Sequence, residues 1–248
     1  HNMSHIPASL HREHYDLYLD TCPCQPWSRL NNDCIGFKDT RSRPMGYSMD
    51  LYNSLKKVNP RIKLLAENVK PHPRLAADVA RIEQGWGVRG TCVNASDWGS
   101  ASSRPRMLYT NIADPQRLPR AAPAPAQSVL GDAYYNTEAT IRCIVASMDT
   151  FSPPVKYDSN TGSPVLMTPD DSDAAQGWVP GISDGGQHKP LHLSTHQRTR
   201  LMGNAINAAF TNTLFRHLHD HEYVPIALPG IKQTSVPSID QFEDAPAL

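Results

Sequence analysis

Four short apolar runs alternate with helix-periodic segments in the first half of this chain, and this alternation constrains the fold more than any other feature. The apolar runs cover residues 15–20, 62–66, 88–93 and 107–111, and the helical patterns cover residues 47–58 and 75–84. Strands that alternate with helices are typical of α/β proteins, in which helices cover a mostly parallel sheet. The sequence therefore predicts an α/β fold with a mostly parallel sheet.

The pattern changes after residue 113. The segment LPRAAPAPAQS, at residues 118–128, predicts an extended and solvent-exposed linker. Residues 140–148 have the pattern of a strand, whereas residues 150–190 are rich in Pro, Gly, Asp and Ser and predict a loop-dominated lobe. Helical periodicity returns at residues 195–219.

These changes divide the chain into four regions. They are an α/β region at 1–113, a linker and small lobe at 114–194, a helix returning to the α/β region at 195–222, and a loose Pro-rich tail at 223–248.

Composition excludes few functions. Lys plus Arg and Asp plus Glu each number 24 among 248 residues, so the chain is not basic overall, although a local basic surface would be enough to bind nucleic acid. The five cysteines have no regular spacing, which favours reduced thiols in an intracellular protein. No apolar run approaches 18 residues and no signal peptide is recognisable, so we expect no membrane span.

Four short motifs carry the residues that could do chemistry. They are Pro23-Cys24-Gln25, Glu67-Asn68-Val69, Arg104-Pro105-Arg106 and Gly203-Asn204-Ala205. The first two follow strand-like runs, so they would lie at the carboxyl edge of a parallel sheet, where α/β proteins bind ligands. A thiol, a carboxylate and two guanidinium groups there could attack an electron-poor ring, manage a proton on it and hold a polar substrate. Each motif alone is better explained by packing or by a solvated surface; only their combination indicates a site.

In order and spacing, these motifs resemble those of the DNA (cytosine-5) methyltransferases. SASSRPRMLYTN, at 100–111, resembles the Arg-x-Arg motif of that family, and RLMGNAINAAF, at 200–210, resembles its last motif. The resemblance covers about residues 5–112 and 195–219. It implies a Rossmann-like, S-adenosylmethionine-dependent methyltransferase sheet, incomplete at its amino end, with a small target-recognition lobe. Ser102 and the short lobe suit the animal de novo enzymes better, whereas Gln25 is the bacterial choice.

The resemblance also implies a mechanism. Cys24 would attack C6 of a cytosine flipped out of duplex DNA, and Glu67 would hold N3 and the exocyclic amine. Arg104 and Arg106 would grip O2 and nearby phosphate, and their charge would favour the thiolate of Cys24. C5 would then take a methyl group from S-adenosylmethionine.

Further contacts follow from the same resemblance. The residues expected at the S-adenosylmethionine site are Pro23, Asn204, Ala205 and Ile206. The residues expected to contact DNA are Gln25, Ser28, Arg29, Asn31, Arg41, Arg43 and Asn68, because residues 26–46 would form a loop that closes over the duplex. The protein would act in a nucleus if it is eukaryotic, and in the cytoplasm or nucleoid if it comes from a bacterium or phage.

The sequence departs from the family in one respect. The Phe-x-Gly-x-Gly loop and the ribose-binding acid, which carry most of the cofactor site in that family, do not occur. Three explanations stay open: a fragment of a longer enzyme, one subunit of a split enzyme whose cofactor half is on a second chain or upstream segment, or an inactive relative that binds DNA or a partner. A thiol enzyme of another class would require a histidine base beside Cys24.

Two other patterns are set aside. GWGVRG, at residues 85–90, fits GxGxxG but follows a helix and enters a strand, the reverse of a dinucleotide-binding loop. His188, His192 and His196 are spaced by four, and HLHDH lies at 217–221, but Pro190 interrupts the first set and no further ligand completes it. We expect no metal site.

Overall fold

The computed structural model describes residues 13–29, 31, 33–143, 155–185 and 192–222. The strands are β1 (Leu17–Asp20), β2 (Lys63–Val69), β3 (Gly90–Asn94), β4 (Pro105–Thr110), β5 (Tyr134–Tyr135), β6 (Val155–Asp158) and β7 (Pro164–Leu166). The α-helices are α1 (Arg43–Val58), α2 (Ala76–Trp86), α3 (Gln127–Leu130), α4 (Pro169–Ala175), α5 (Thr195–Asn204) and α6 (Ala208–Glu222).

The larger sheet is mixed, with strand order β1-β2-β4-β3. β1 pairs with β2 in parallel, whereas β4 is antiparallel to both β2 and β3. The α/β class is confirmed, but the prediction of a mostly parallel sheet is wrong. Only residues 95–104 join β3 to β4, which is too few for the crossover that a parallel pair needs, so the chain turns back on itself.

Helices cover both faces of this sheet, as the apolar periodicity requires. On one face, α1 buries Met45, Met49, Tyr52 and Leu55, which recur at helical spacing and pack in one cluster with Trp86 of α2. On the other face, Phe210 and Leu214 of α6 pack in a cluster that contains Leu65 and Leu108 of the sheet. The sheet is therefore packed between two apolar layers, which hold the carboxyl ends of the parallel strands β1 and β2 in place.

The GWGVRG segment is a helix-to-strand turn, as the sequence indicated. α2 ends at Trp86, Gly87 adopts a left-handed conformation with φ 66°, and β3 begins at Gly90. Only glycine takes that conformation at no steric cost, so the glycine is explained by the helix end rather than by phosphate binding.

The small lobe has more regular structure than predicted. β5, β6 and β7 form a three-stranded antiparallel sheet, and a capping box at Thr168 starts α4. The strand predicted at residues 140–148 is wrong in its described part, because Ile141 forms only an isolated bridge to Ser102. Residues 144–148 lie outside the described residues.

Two further predictions need correction. The helical pattern at 195–219 is broken at residues 205–207, where Asn207 accepts from the Ala209 backbone N–H and donates to the Ser100 hydroxyl, and so starts α6 as a separate helix. The segment at 118–128 is not a free linker, because Leu118 is buried and Ala121 bridges to Trp98.

In the part of the chain that the structure describes, β1 is an edge strand of the larger sheet, and the leucines on one of its faces are partly exposed. Leu17 and Leu19 remain 36% and 48% exposed, whereas Leu65 on the neighbouring strand β2 is fully buried. An edge strand with apolar side chains and no proline, lysine or bulge is poorly protected against pairing with another strand. No helix in the described residues is long and apolar enough to cross a membrane.

Candidate active site

The parallel pairing of β1 and β2 brings the cysteine and carboxylate motifs to one edge of the sheet. Asp20 at the end of β1 is in register with Ala66, so Glu67 follows directly beside the turn that carries Cys24. The Cys24 carbonyl accepts from the backbone N–H groups of Trp27 and Ser28 at 3.0 and 2.9 Å, which closes the turn after the thiol. The Asn68 side chain donates to the Cys22 carbonyl at 3.2 Å and ties the two motifs together.

Glu67 and Arg106 form a buried ion pair. Arg106 lies on β4, which pairs with β2, and its Nε is 2.7 Å from Oε1 of Glu67. The two side chains are only 9% and 7% exposed. Charges this deeply buried are tolerated only when they are paired, so each holds the other in place.

Arg104 has a different environment from the one predicted. Its guanidinium is almost fully buried, and Nη2 donates to the carbonyls of Gly203 and Ala205 at 3.0 and 2.7 Å. Burial lowers its pKa, and the nearby Arg106 lowers it further. Arg104 therefore attaches β4 to the end of α5 while it still borders the cavity beside Cys24.

A cavity of about 250 Å³ joins all four motifs. Its lining comprises Thr21, Cys22, Pro23, Cys24, Gln25, Glu67, Val69, Arg104, Arg106, Gly203 and Asn204. Burial raises the pKa of the Cys24 thiol, whereas Arg106 acts to lower it, Glu67 raises it and Arg104 lowers it. The balance of these charges decides how readily Cys24 becomes a nucleophile.

Cys143 is a second thiol beside the two arginines. Its Sγ lies 3.8 Å from Nη1 of Arg104 and 3.9 Å from Nη1 of Arg106. This contact could not be predicted from the sequence, because Cys143 lies in the region predicted as a strand of the small lobe.

The residues predicted for S-adenosylmethionine are not all placed alike. Pro23 and Asn204 are exposed and line the cavity next to Cys24. Ala205 offers its carbonyl to Arg104, and the Ile206 carbonyl accepts from the Trp178 indole at 3.1 Å. Ala205 and Ile206 thus take part in packing, whereas Pro23 and Asn204 face the cavity.

The residues predicted to contact DNA are also divided. Gln25 lines the cavity, and its carbonyl accepts from the Asn31 amide at 3.0 Å. Arg29 and Arg43 are exposed, and Arg43 begins α1. The region 26–46 is not an open loop, because Trp27 is buried against Phe37 and two 3₁₀ turns precede α1.

Arg41 is already engaged within this region. Its guanidinium donates to both carboxylate oxygens of Asp39, with Nη2 2.6 Å from Oδ2, and this contact lowers the pKa of Asp39. Asn68 is buried, and its side chain donates to the Cys22 carbonyl. Ser28 forms an isolated β-bridge with Pro71.

Sequence reasoning missed Asp20 and Cys22, which are bonded to each other just before the turn that carries Cys24. Cys22 lines the cavity and donates from Sγ to Oδ1 of Asp20 at 3.1 Å. The one available signal was that the apolar strand ends at Asp20, two residues before Cys22. Among the described residues, no group of three or more His, Cys, Asp or Glu is arranged to hold a metal ion.

The fold and the site together define a class: a Rossmann-like α/β sheet with a cysteine at the carboxyl end of one strand and a carboxylate at the end of its parallel neighbour. Solved structures of methyltransferases are similar to the chain in fold. Dnmt2 methyltransferase of Schizosaccharomyces pombe matches with TM-score 0.61 and 13% identity over 90% of this chain and 84% of that one.

Two more solved structures show the same likeness. A DNMT2 mutant of Spodoptera frugiperda matches with TM-score 0.56 and 18% identity over 82% of this chain and 79% of that one. A prophage-encoded protein of Escherichia coli, assigned as a DNA modification methyltransferase, matches with TM-score 0.54 and 14% identity over 89% and 84%. The predicted Rossmann-like methyltransferase sheet is thus confirmed as a fold. No family model and no curated protein matches the sequence.

Proposed function

We propose that this chain carries the catalytic site of a DNA (cytosine-5) methyltransferase, with Cys24 as the nucleophile. The single observation that carries the proposal is the cavity in which the Cys24 thiol meets the buried Glu67–Arg106 pair. An extruded pyrimidine base would enter this cavity of about 250 Å³, because the target base must leave the duplex stack to reach the thiol. The fold shared with the methyltransferases supports the same reading.

In the proposed reaction, the Cys24 thiolate forms a bond to C6 of the cytosine, and the ring electrons move to C5. Glu67 stabilises the ring protonated at N3 and accepts from the exocyclic amine, and Arg106 donates to O2. After C5 is methylated, a solvent water molecule or hydroxide takes the C5 proton. The electrons of that C–H bond re-form the C5–C6 double bond, and the electrons of the C6–S bond return to Cys24 as the thiolate, ready for the next turnover.

S-adenosylmethionine, when bound, supplies an electrophilic methyl group. The exposed Asn204 amide and the Pro23 ring line the cavity beside Cys24 and fit one end of such a donor. The glycine loop and the ribose-binding acid do not occur in the sequence, so these residues fit only part of it.

The remaining contacts to the donor would come from strands that pair with the open edge of β1. That edge ends at the turn carrying Cys24, so a strand added there would reach the same cavity. We propose that an upstream segment or a second chain supplies it. DNA is the proposed nucleic-acid partner, and we propose that Arg29 and Arg43, which are both exposed, contact its phosphates.

Duplex DNA containing 5-fluorocytosine tests this function, because fluorine at C5 blocks the final elimination and leaves a stable adduct. We expect a denaturation-resistant protein–DNA complex that needs S-adenosylmethionine and is absent in Cys24→Ser. If the chain alone gives no adduct but adding the upstream strands, in cis or as a second chain, restores it, the chain is half of an enzyme.

Failure of both arms would contradict catalysis. It would favour the second candidate, a catalytically incomplete or inactive relative that binds DNA or a methyltransferase subunit. A gel-shift titration with unmodified duplex DNA would then measure binding directly, and a double substitution of Arg29 and Arg43 would be expected to weaken it and reduce its salt dependence.

A further inference from the structure

A network of polar side chains lies directly behind the turn that carries Cys24. The Cys22 thiol donates to Oδ1 of Asp20 at 3.1 Å, and the Tyr18 hydroxyl lies 2.6 Å from Oγ of Ser48 on α1. Hydrogen bonding from Ser48 also lowers the pKa of both Asp20 and Cys22. Ser48 is fully buried and Cys22 nearly so, which makes each of these contacts costly to leave unmade.

Cys22 is the point at which the turn is attached on its amino side. Its thiol is bonded to Asp20, and its carbonyl accepts from Asn68. Pro23, which follows, has no N–H to donate. The carboxyl side of the turn is held separately through the Cys24 carbonyl. The amino side of the turn that carries the Cys24 thiol is therefore held by the two hydrogen bonds made by Cys22.

The charge states in this network favour a fixed arrangement. Burial raises the pKa of Cys22, so its thiol stays protonated and keeps its donor. Burial likewise raises the pKa of Tyr18 to about 12. Burial raises the pKa of Asp20, and the negative charge of Glu67 on β2 adds to this effect, whereas Cys22 and Ser48 lower the pKa by hydrogen bonding.

We propose that Asp20 is a positioning residue for the Cys24 nucleophile and acts through the Cys22 thiol. This inference rests on the proposed function of Cys24. Asp20 is not among the residues that line the cavity, so it would not touch the base. Its role is to hold the turn where Arg106 can stabilise the thiolate of Cys24, which a looser turn would lose.

Substitutions at Cys22 separate the hydrogen bond from the packing. Cys22→Ser keeps a donor for Asp20, whereas Cys22→Val keeps a similar shape without one. The pH dependence of iodoacetamide alkylation at Cys24 is measured by mass spectrometry, with fragment ions to distinguish residue 24 from residue 22. We expect the apparent pKa of Cys24 to rise by about half a unit or more in Cys22→Val and to change by about 0.2 or less in Cys22→Ser.

Catalysis should follow the same division. Adduct formation in Cys22→Val is expected to lose about tenfold in rate with KM within about twofold, because the base still binds while the thiol is misplaced. Asp20→Asn, which keeps an acceptor, and Asp20→Ala, which does not, give a second pair with the same expectation if Cys22→Val does not fold. Thermal unfolding of each variant identifies the folded ones.

Two results would overturn the proposal. An alkylation profile in Cys22→Val and Asp20→Ala that equals the wild-type profile would mean that the network does not position Cys24. Equal shifts in Cys22→Ser and Cys22→Val would mean that packing, not the hydrogen bond, is responsible. Alkylation needs no DNA. A shift in Cys22→Val and Asp20→Ala that is absent from Cys22→Ser and Asp20→Asn therefore supports positioning even if no variant forms an adduct. The lack of an adduct would contradict only the proposed function.

Discussion

At the scale of single residues, the thiol of Cys24 is subject to opposing influences. Burial and the charge of Glu67 favour the neutral thiol, whereas Arg106 and Arg104 favour the thiolate. Because the pKa of Cys24 is raised overall, the fraction of Cys24 present as thiolate should still be increasing as the pH rises through neutrality. The rate of adduct formation is therefore expected to increase over the same range.

Arg106 should set where this increase occurs. In Arg106→Met the cation is removed, so the pKa of Cys24 should rise and the alkylation profile should move to higher pH. Arg106→Lys keeps the charge and should move it much less. The prediction is measured by iodoacetamide kinetics on folded protein, and equal profiles in the two variants would contradict it.

Glu67→Gln should affect reactivity and catalysis in opposite directions. Removing the carboxylate lowers the pKa of Cys24, so alkylation should become faster at neutral pH. Trapping on 5-fluorocytosine DNA should become slower by about 100-fold or more, because the base loses its proton partner. Glu83→Gln serves as the matched control, because the Glu83 side chain accepts from the Gly90 N–H and does not line the cavity. A parallel change in both rates would argue against a role for Glu67 on the base.

Much of this site could be predicted from the sequence, because Cys24 follows β1 and Glu67 lies near the end of β2, and both strands have a clear apolar pattern. The role of Arg104 could not, since its carbonyl acceptors belong to residues 203 and 205. Cys143 was missed for the same reason: contacts between distant segments leave no periodic signal in the chain.

At the scale of elements, the connection between β4 and the α5–α6 turn depends on one buried side chain. Arg104→Met would leave the carbonyls of Gly203 and Ala205 without this charged donor. We expect a loss of about 3–5 kcal/mol in the free energy of unfolding, measured by urea denaturation. Arg29→Met, at an exposed position, should change stability by about 0.5 kcal/mol or less. Similar losses in both variants would contradict the assigned role of Arg104.

Helices and strands were predicted best where one face is apolar. The α1 pattern was clear because Met49, Tyr52 and Leu55 all face the sheet. Strand direction was predicted poorly, since β4 turns back between β2 and β3 for reasons of connection length rather than composition. The break between α5 and α6 depends on Asn207, whose partner Ser100 is 107 residues away.

At the scale of the whole molecule, Leu17 and Leu19 on the edge strand β1 are the large apolar side chains of the larger sheet that remain exposed among the described residues. Leu19→Lys should leave the free energy of unfolding unchanged within about 0.5 kcal/mol, because the side chain is already half exposed. It should reduce concentration-dependent self-association, measured by sedimentation velocity, if strands pair at this edge. Val179→Lys alters a more exposed apolar residue in the small lobe and is the control. Equal effects of the two substitutions on self-association would contradict strand pairing at the β1 edge.

The distance in sequence between Arg104 and its acceptors has a consequence for protein synthesis. The two carbonyls lie 99 and 101 residues further along the chain. At ribosomal rates of about 5–20 residues per second, roughly 5–20 seconds pass between the emergence of this arginine and that of its partners. During that interval the Arg104 guanidinium lacks its two carbonyl acceptors, so the pocket can be assembled only after residue 205 has emerged, and proteins that bind basic or unpaired segments have time to act first.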